Sequence, residues 1–352
     1  MNKVSRVTGG VIRHFLHDRC LAEFGPLCVD AQDGLVLALL GPTQSGKSLA
    51  LQSITKDVKA SIKDPRPGSI PVASLQIETV SDGRAKPKWL STELLKVLEH
   101  PIYKHIGTFE ELEHYMPSRG RDETTLRVAL KEAFTRRFTR KTILDEVHLL
   151  TRTKNPELRA SIMESIKSAC AMDRSLILCG AYEAAYKGIL DSPHFAGRLI
   201  VYDFGRYTEG DAQDVKAWIR VLKSYSGHLN TSDRDLLSRN WLFLLRATHG
   251  VVGLLDKMLW QANVTAKSMN CAITQKILES CAAPKKAWDQ IRIDIERGAE
   301  ALEKFSLAGT ERPRHRERTA EEKGREARPK PKAKPFVSKP DRHRVMEFKD
   351  EH

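Results

Sequence analysis

The sequence predicts an α/β protein built on a doubly wound parallel sheet, followed by a small C-terminal helical region. Short, continuous apolar runs alternate with helical patterns up to about residue 207. Beyond that point the strand signals stop, and helical patterns continue to about residue 307. Continuous apolar runs are typical of strands buried on both faces of a parallel sheet, and their alternation with helices is typical of a doubly wound fold.

Five apolar runs mark the strands, and turn-forming or polar residues bound them. Asp33-Gly34 forms a turn into the first run, and Pro65-Arg66-Pro67-Gly68 breaks the chain before the second. We expect strands at residues 35–40, 70–79, 142–144, 175–180 and 199–204. We expect helices between them at residues 48–60, 92–99, 123–137 and 156–172.

Four segments are expected along the chain. Residues 1–33 form an N-terminal helical preface, 34–207 the α/β core, and 208–308 a helical lid or second subdomain. Residues 309–352 form a tail that is expected to be disordered and basic, since from residue 311 it has five prolines, many charges and few apolar residues. No internal repeat is visible.

Charge and composition limit the classes of partner. The chain has 58 Lys and Arg against 45 Asp and Glu, a net charge of +13, which favours a polyanion such as nucleic acid. The tail contributes only part of it, with 14 basic against 9 acidic residues from residue 311 onward. No apolar run approaches the roughly 20 residues that span a bilayer, and no secretory signal begins the chain. We therefore expect a cytoplasmic protein with no membrane partner.

The strongest motif follows the first predicted strand. The string Gly41-Pro42-Thr43-Gln44-Ser45-Gly46-Lys47-Ser48 has the spacing of a phosphate-binding loop, and Leu49 continues it into a helix. A glycine-bearing loop at a helix N-terminus lets backbone N–H groups approach phosphate oxygens. Lys47 is expected to reach the β- and γ-phosphates of a nucleoside triphosphate, and the Ser48 hydroxyl is expected to ligate Mg²⁺.

A second motif ends the third predicted strand. Asp145 follows Ile143-Leu144 and is expected to hold the Mg²⁺ shell, while Glu146 is expected to orient and deprotonate an attacking water. This pair predicts hydrolysis of the nucleotide in addition to its binding. His148 either senses the γ-phosphate or packs and caps the loop, and packing is the favoured interpretation.

Four segments in order resemble one family. They are the strings Ile143-Leu144-Asp145-Glu146-Val147-His148-Leu149-Leu150, Gly180-Ala181-Tyr182-Glu183, Phe195-Ala196-Gly197-Arg198-Leu199 and Thr248-His249-Gly250-Val251-Val252-Gly253-Leu254-Leu255. Together they resemble the TnsC/TniB group of AAA+ ATPases, the ATP-dependent regulators of DNA transposition. The resemblance extends from about residue 35 to 282.

The resemblance implies a function. Such proteins bind ATP with Mg²⁺, bind DNA in the ATP state, and assemble on it as homo-oligomeric rings or filaments. They mark the target for a transposase, together with a target-selection protein, and hydrolysis to ADP and phosphate resets them. Arg198 would then reach the γ-phosphate of a neighbouring subunit, with Arg206 as a competing candidate. The adenine would lie between the preface and the region near Gly250.

Two positions depart from the family pattern. Gly180-Ala181 stands where the family commonly has Gly-Thr, so a hydroxyl near the γ-phosphate is missing, and Tyr182 could substitute. No arginine follows Gly250 and Gly253 at the position that many AAA+ proteins use as a second sensor, and Lys257 is a weak candidate for that role.

The candidate DNA contacts are chosen for their charge and for their position between the second strand and the strand that ends at Asp145. Ser118-Arg119-Gly120-Arg121 is the best candidate loop of the body, and Arg119 and Arg121 are the candidate phosphate contacts, against the equally favoured alternative of a solvated basic turn. In the tail, the apolar island Val345-Met346-Glu347-Phe348 could dock on a partner, and the tail could equally tether DNA.

Three other functions remain open at the sequence level. An AAA+ helicase-loader-type ATPase would share every nucleotide motif and differ in its partner. A nucleotide-switch signalling or interaction protein would bind ATP with incidental hydrolysis. A kinase or small-molecule phosphotransferase would need only the phosphate loop, and Asp145-Glu146 argues against it.

Overall fold

The structure is a computed structural model that describes most of the chain up to residue 307. The described residues are 5, 7–10, 12–62, 66–78, 87–105, 122–152, 155–168, 173–190, 195 and 197–307. Met1–Leu307 belong to one compact unit, and the remaining residues, Ala308–His352, lie outside the described residues. The prediction of a disordered tail therefore falls outside them, and the other segment boundaries stay predictions.

The core is a five-stranded sheet in which every strand pair is parallel. The strands are β1 (Val36–Gly41), β2 (Val72–Gln76), β3 (Lys141–Asp145), β4 (Ser175–Ala181) and β5 (Leu199–Asp203). Their order across the sheet is β2-β3-β4-β1-β5. All five predicted strands are present. The second strand, Val72–Gln76, is shorter than the predicted range of residues 70–79 and begins after Pro71.

Helices cover both faces of the sheet. Those of the α/β part are α1 (Phe15–Asp30), α2 (Lys47–Ser61), α3 (Pro87–Val97), α4 (Glu123–Arg136) and α5 (Pro156–Ser168). After β4 come a short α-helical turn, Tyr182–Ala184, and a π-helical turn, Ala185–Ile189. The Asp122 carboxylate caps α4 by accepting a 2.8 Å hydrogen bond from the backbone N–H of Thr125.

The apolar side chains of β1 explain its central position. All six residues of the strand are buried. Leu37 and Leu39 pack into one hydrophobic cluster with α1 and α2, whereas Ala38 and Leu40 face a second cluster with α3, α4 and α5. Successive side chains of a strand point to opposite faces, so a continuous apolar run fits a strand covered on both sides.

The chain after β5 is helical, as expected. Its helices are α6 (Ala212–Ser226), α7 (Leu236–Arg239), α8 (Trp241–Ala247), α9 (Val252–Ser268), α10 (Gln275–Ser280) and α11 (Lys285–Leu307). Helix α11 returns to the sheet and packs on the turn 182–189 that follows β4. None of the helices in the described part of the chain has the length and apolar character required to cross a bilayer.

Candidate active site

The loop after β1 is shaped to receive an anion. Strand β1 ends at Gly41 and α2 begins at Lys47, with Gly46 in a left-handed conformation at φ 104° that other residues rarely adopt. No side chain caps the N-terminus of α2. Gly46 O accepts hydrogen bonds from the N–H groups of Leu49 at 3.0 Å and Ala50 at 3.2 Å, as the helix begins. The N-terminus of a helix attracts anions, because its N–H groups and its dipole point toward the loop.

Lys47 lies inside this loop. Its side chain is buried, and Nζ donates hydrogen bonds to Gly41 O at 3.1 Å and to Ser45 Oγ at 3.3 Å, as well as to Pro42 O. Gly41 is in close contact with the end of β5, because an added Cβ would lie 2.9 Å from Phe204 Cβ. The ammonium group is therefore held at the centre of the loop.

Asp145 and Glu146 lie at the carboxyl end of β3, the same edge of the sheet as the phosphate loop. Glu146 is in the left-handed region at φ 61° and ψ 32°, and its N–H donates a 2.8 Å hydrogen bond to Asp145 Oδ1. Positive φ is uncommon for a residue with a side chain and is often found at functional sites. The turn directs the backbone away from the strand directly after Asp145.

His148 connects Glu146 to the end of β4. Its Nδ1 lies 3.3 Å from Glu146 Oε2 and 3.4 Å from the backbone nitrogen of Ala181. Burial, with a smaller contribution from the charge of Arg152, lowers the pKa of His148 to about 4. The neutral ring carries one proton, so Nδ1 either donates to Glu146 or accepts from Ala181, and the Glu146 contact is not an ion pair at neutral pH.

These groups line one cavity of about 450 Å³. From the α/β part its lining includes Thr43 to Leu49, Gln52, Gln76, Asp145, Glu146, His148, Gly180 and Ala181. The N-terminal segment, α6 and α9 add Ser5, Ile12, His14, Tyr225, Val252, Gly253 and Asp256. The volume is in the range of sites that enclose a small ligand. The preface and the region after Gly250 both contribute to this lining.

Helix α9 closes directly on the phosphate loop. The backbone N–H of Gly253 donates a 3.1 Å hydrogen bond to Gln44 O, and an added Cβ at Gly253 would lie 2.3 Å from that oxygen. No side chain fits at this position without displacing the loop. Lys257, the alternative cationic candidate on α9, is exposed to solvent.

The two candidate arginine fingers, Arg198 and Arg206, lie at opposite ends of the parallel strands. The carbonyl oxygen of Arg198 accepts a 2.9 Å hydrogen bond from the N–H of Val36, at the amino ends of β1 and β5. Six residues of β1 separate this edge from the phosphate loop, roughly 20 Å at the usual rise of a strand. Arg198 therefore cannot reach the phosphate loop of its own subunit. Arg206 follows β5 at the loop edge, and its Nη1 donates a 3.3 Å hydrogen bond to His249 O.

Some residues that line the cavity belong to no sequence motif, and some residues predicted from the sequence lie outside the described part of the chain. Gln76 pairs in register with Asp145 and could have been noticed as the polar residue near the end of the second strand. Ser5, Ile12, Tyr225 and Asp256 converge from distant parts of the chain without a motif. Arg119 and Arg121, like the tail, lie outside the described residues.

Mg²⁺ fits the chemistry of this site. The Ser48 hydroxyl and the Asp145 carboxylate both line the cavity beside the loop. Hydroxyl and carboxylate oxygens are the protein ligands that Mg²⁺ prefers, usually one or two of them together with phosphate oxygens and water.

No protein-family model matches the chain, and no curated protein matches it either. Solved structures do match. Cdc6p from Pyrobaculum aerophilum superposes with a TM-score of 0.51 at 13% identity, over 88% of this chain and 85% of that one. The ORC2 protein of Aeropyrum pernix in its ADP form gives 0.50 at 12% identity, over 80% of this chain and 72% of that one.

A further structure of the same Aeropyrum pernix protein, in ADPNP-ADP complexes, gives a TM-score of 0.45 at 13% identity and 76% coverage of this chain. This chain spans 65% of the length of that protein. The parallel sheet with helices on both faces, the loop between β1 and α2 and the two superpositions at or above 0.5 agree on one architecture. The chain has the fold of the AAA+ P-loop ATPases.

Proposed function

We propose that this protein is an ATP-dependent, DNA-binding AAA+ regulator of transposition that oligomerises on target DNA, recruits or activates a transposase, and is reset by ATP hydrolysis. One observation carries the nucleotide part of the proposal: Lys47, Ser48, Asp145 and Glu146 line a single cavity at the carboxyl edge of the sheet. Ligands of open α/β sheets bind at this edge.

In binding, the loop would wrap the triphosphate. The N–H groups of the first turn of α2 would bind phosphate oxygens, and Lys47 would exchange its bonds to Gly41 O, Pro42 O and Ser45 Oγ for the β- and γ-phosphates. Ser48 and Asp145 would hold Mg²⁺, which neutralises charge on the phosphate oxygens when bound.

In hydrolysis, Glu146 would orient a water toward the γ-phosphorus and accept its proton. Its backbone hydrogen bond to Asp145 and its contact with His148 would fix the direction of its carboxylate. Arg198 would act on the nucleotide of a neighbouring subunit, because the sheet separates it from its own. Hydrolysis would then need an assembled oligomer.

The DNA and transposition parts rest on charge, motifs and fold. The body up to residue 310 retains most of the +13 charge, which suits a phosphate backbone. The motifs in this order resemble the TnsC/TniB group. The ORC2 protein of Aeropyrum pernix, whose fold is similar, was solved in an ADP form, and we expect this chain to bind a nucleotide as well. Coupling nucleotide state to DNA affinity requires only about 1–3 kcal/mol of differential binding.

The test is DNA binding and particle size, measured by anisotropy and electron microscopy with a slowly hydrolysed ATP analogue, ADP or no nucleotide. We expect rings or filaments of the wild type on DNA with the analogue only, and none of Lys47→Ala under any condition. Lys59→Ala is a matched control, because Lys59 is an exposed lysine in the last turn of α2. ATP binding by a monomer indifferent to DNA would refute the proposal and favour the signalling alternative.

The loader alternative shares this site and differs in its partner. Adding purified transposase to the DNA-bound particles separates the two. The transposition proposal predicts that transposase binds the particles and stimulates ATP hydrolysis, whereas a loader would respond to a helicase instead.

A further inference from the structure

His14 lies beside the phosphate loop, directly before the first residue of α1. It is only 7% exposed and lines the same cavity as Gly46 and Lys47. Its Nε2 is 3.7 Å from the position that a Cβ on Gly46 would occupy, and Gly46 is the residue that precedes α2. One nitrogen of a buried imidazole therefore lies against the N-terminus of α2.

The other ring nitrogen of His14 is held by Tyr207. Nδ1 lies 3.1 Å from Tyr207 OH, and this is the one hydrogen bond that the ring makes to the described residues. Burial raises the pKa of Tyr207 far above neutrality, and backbone N–H groups of Leu16 and Phe15 that donate to the phenol oxygen offset part of that rise. Because the phenol oxygen accepts from the backbone, its own proton points to Nδ1.

This arrangement fixes the position of the proton on the His14 ring. Burial, with a smaller contribution from the charge of His17, lowers the pKa of His14 to about 4, so at pH 7 the neutral ring carries one proton. Since Nδ1 accepts from Tyr207, that proton is on Nε2. The nitrogen beside Gly46 is therefore a donor, and within the described part of the chain it has no acceptor.

A donor in this place matches a phosphate group. The N-terminus of a helix favours negative charge, and α2 begins at Lys47, next to Gly46. In a phosphate-binding loop the backbone N–H groups hold the α- and β-phosphates, while the lysine reaches the β- and γ-phosphates. A neutral imidazole adds a hydrogen bond to a charged oxygen without placing a second buried cation beside Lys47.

We propose that His14 binds the phosphates of the nucleotide, its Nε2–H donating a hydrogen bond to an oxygen of the α- or β-phosphate. The inference rests on the proposed function and adds a phosphate-binding residue from the N-terminal segment to the same cavity. Tyr207 acts through His14 and is a positioning residue, because its hydroxyl keeps the proton of the imidazole on Nε2.

The first test is the Kd for ATP with Mg²⁺, measured on the full chain without DNA. His14→Asn keeps a polar atom near the place of Nδ1 and removes the donor at Nε2, whereas His14→Gln puts an amide N–H near the place of Nε2. We expect His14→Asn to bind ATP about tenfold more weakly, the lower end of the range for a hydrogen bond to a charged group. We expect His14→Gln to stay within about threefold of the wild type.

Two further variants complete this comparison. His14→Phe keeps an aromatic ring beside Tyr207 and removes both nitrogens, so it should lose as much affinity as His14→Asn and replaces that variant if it does not fold. His228→Asn, at an exposed histidine, is the matched control and should bind ATP as the wild type does.

Sulfur-substituted nucleotides identify the atom that His14 contacts. The two diastereomers of ATPαS and the two of ATPβS each replace one phosphate oxygen with sulfur, a weak hydrogen-bond acceptor. For the analogue that replaces the contacted oxygen, we expect the wild type to lose about threefold or more in affinity relative to ATP, beyond any loss in His14→Asn or His14→Phe. Any preference of Mg²⁺ for oxygen over sulfur acts in all three proteins and cancels in this comparison.

Three results would overturn the proposal. The first is wild-type affinity for ATP in both His14→Asn and His14→Phe. The second is a loss in His14→Gln as large as in His14→Phe. The third is an equal effect of sulfur in the wild type and the variants for all four analogues, which would place the contact of His14 on the base or the ribose. A wild type that binds no ATP would instead contradict the proposed function itself.

Discussion

The backbone N–H of Gly253 donates a 3.1 Å hydrogen bond to the carbonyl oxygen of Gln44, so the helical region and the phosphate loop touch through main-chain atoms. The Gly253→Ala variant would place its Cβ 2.3 Å from that oxygen. We expect overpacking to displace α9 from the loop and to weaken nucleotide binding by about tenfold or more.

Nucleotide titration of both Gly253→Ala and Gly210→Ala checks this. Gly210 has nothing within 4 Å of an added Cβ, so its variant should bind as the wild type does. Equal binding by the two variants would mean that this contact plays no part in forming the site.

Gly298 makes a second close contact, between α11 and the turn after β4. An added Cβ at this position would lie 2.2 Å from Tyr182 Cγ, in a side chain that is buried and donates a 2.7 Å hydrogen bond to Asp203 Oδ1. At an exposed position inside a helix, replacing glycine with alanine raises the free energy of unfolding by about 1 kcal/mol. Here we expect Gly298→Ala to lower the free energy of unfolding by roughly 1–3 kcal/mol through overpacking.

Denaturant unfolding measures this change. Gly227→Ala, with nothing within 4 Å of the added Cβ, is the matched control. A stabilised Gly298→Ala protein would be incompatible with α11 packed on Tyr182.

His14 makes stability depend on pH. Burial, with a smaller effect of His17, lowers the pKa of His14 to about 4, and its Nδ1 lies 3.1 Å from Tyr207 OH. The unfolded chain takes up this proton near pH 6.5, so the stabilisation is complete above that pH and is lost as the pH falls toward 4. We expect His14 to account for a loss of about 2 kcal/mol between pH 7 and pH 5.

Unfolding curves at both pH values for His14→Gln test this. The variant should lose less stability than the wild type over this interval, while His228→Gln, at an exposed histidine, should lose as much as the wild type. Parallel curves for wild type and His14→Gln would show that His14 does not titrate in this way.

Arg198→Ala and Arg206→Ala should differ in the ATP hydrolysis that is recovered when each is mixed with a second inactive variant. Arg198→Ala keeps Glu146, and Glu146→Gln, which is expected to assemble on DNA, keeps Arg198, so a mixed oligomer contains interfaces with both groups. We expect the mixture to recover part of the DNA-stimulated ATP hydrolysis that each variant lacks alone. Arg206 bonds to His249 O of its own subunit, so a mixture of Arg206→Ala and Glu146→Gln should recover none. Recovery only with Arg206→Ala would reverse the assignment.

The sheet was predictable because its signals are local. Each strand is a short apolar run, and the phosphate loop between β1 and α2 has a fixed spacing in the sequence. The order of the strands in the sheet was not predictable in this way. Strand β1 pairs with β4 and β5, which are distant in the sequence, and not with β2, which follows it in the chain. That order depends on how the helices pack on both faces.

The part of the cavity lined by the N-terminal segment, α6 and α9 could not be predicted from the sequence. Ser5, Tyr225 and Asp256 meet only after α6 and α9 pack against the N-terminal segment, and no spacing in the sequence links them. The absence of space for a side chain at Gly253 likewise depends on the position of the Gln44 carbonyl, which no sequence pattern indicates.

The central claim is that ATP hydrolysis through Glu146 resets a DNA-bound assembly. The most direct measurement follows the anisotropy of a labelled duplex over time after a limited amount of ATP and Mg²⁺ is added to the wild type and to Glu146→Gln. We predict that both proteins bind the duplex, that the wild type releases it as ATP is consumed, and that Glu146→Gln, with hydrolysis slowed by about 100-fold or more, remains bound. Release at the same rate from both proteins would contradict the account.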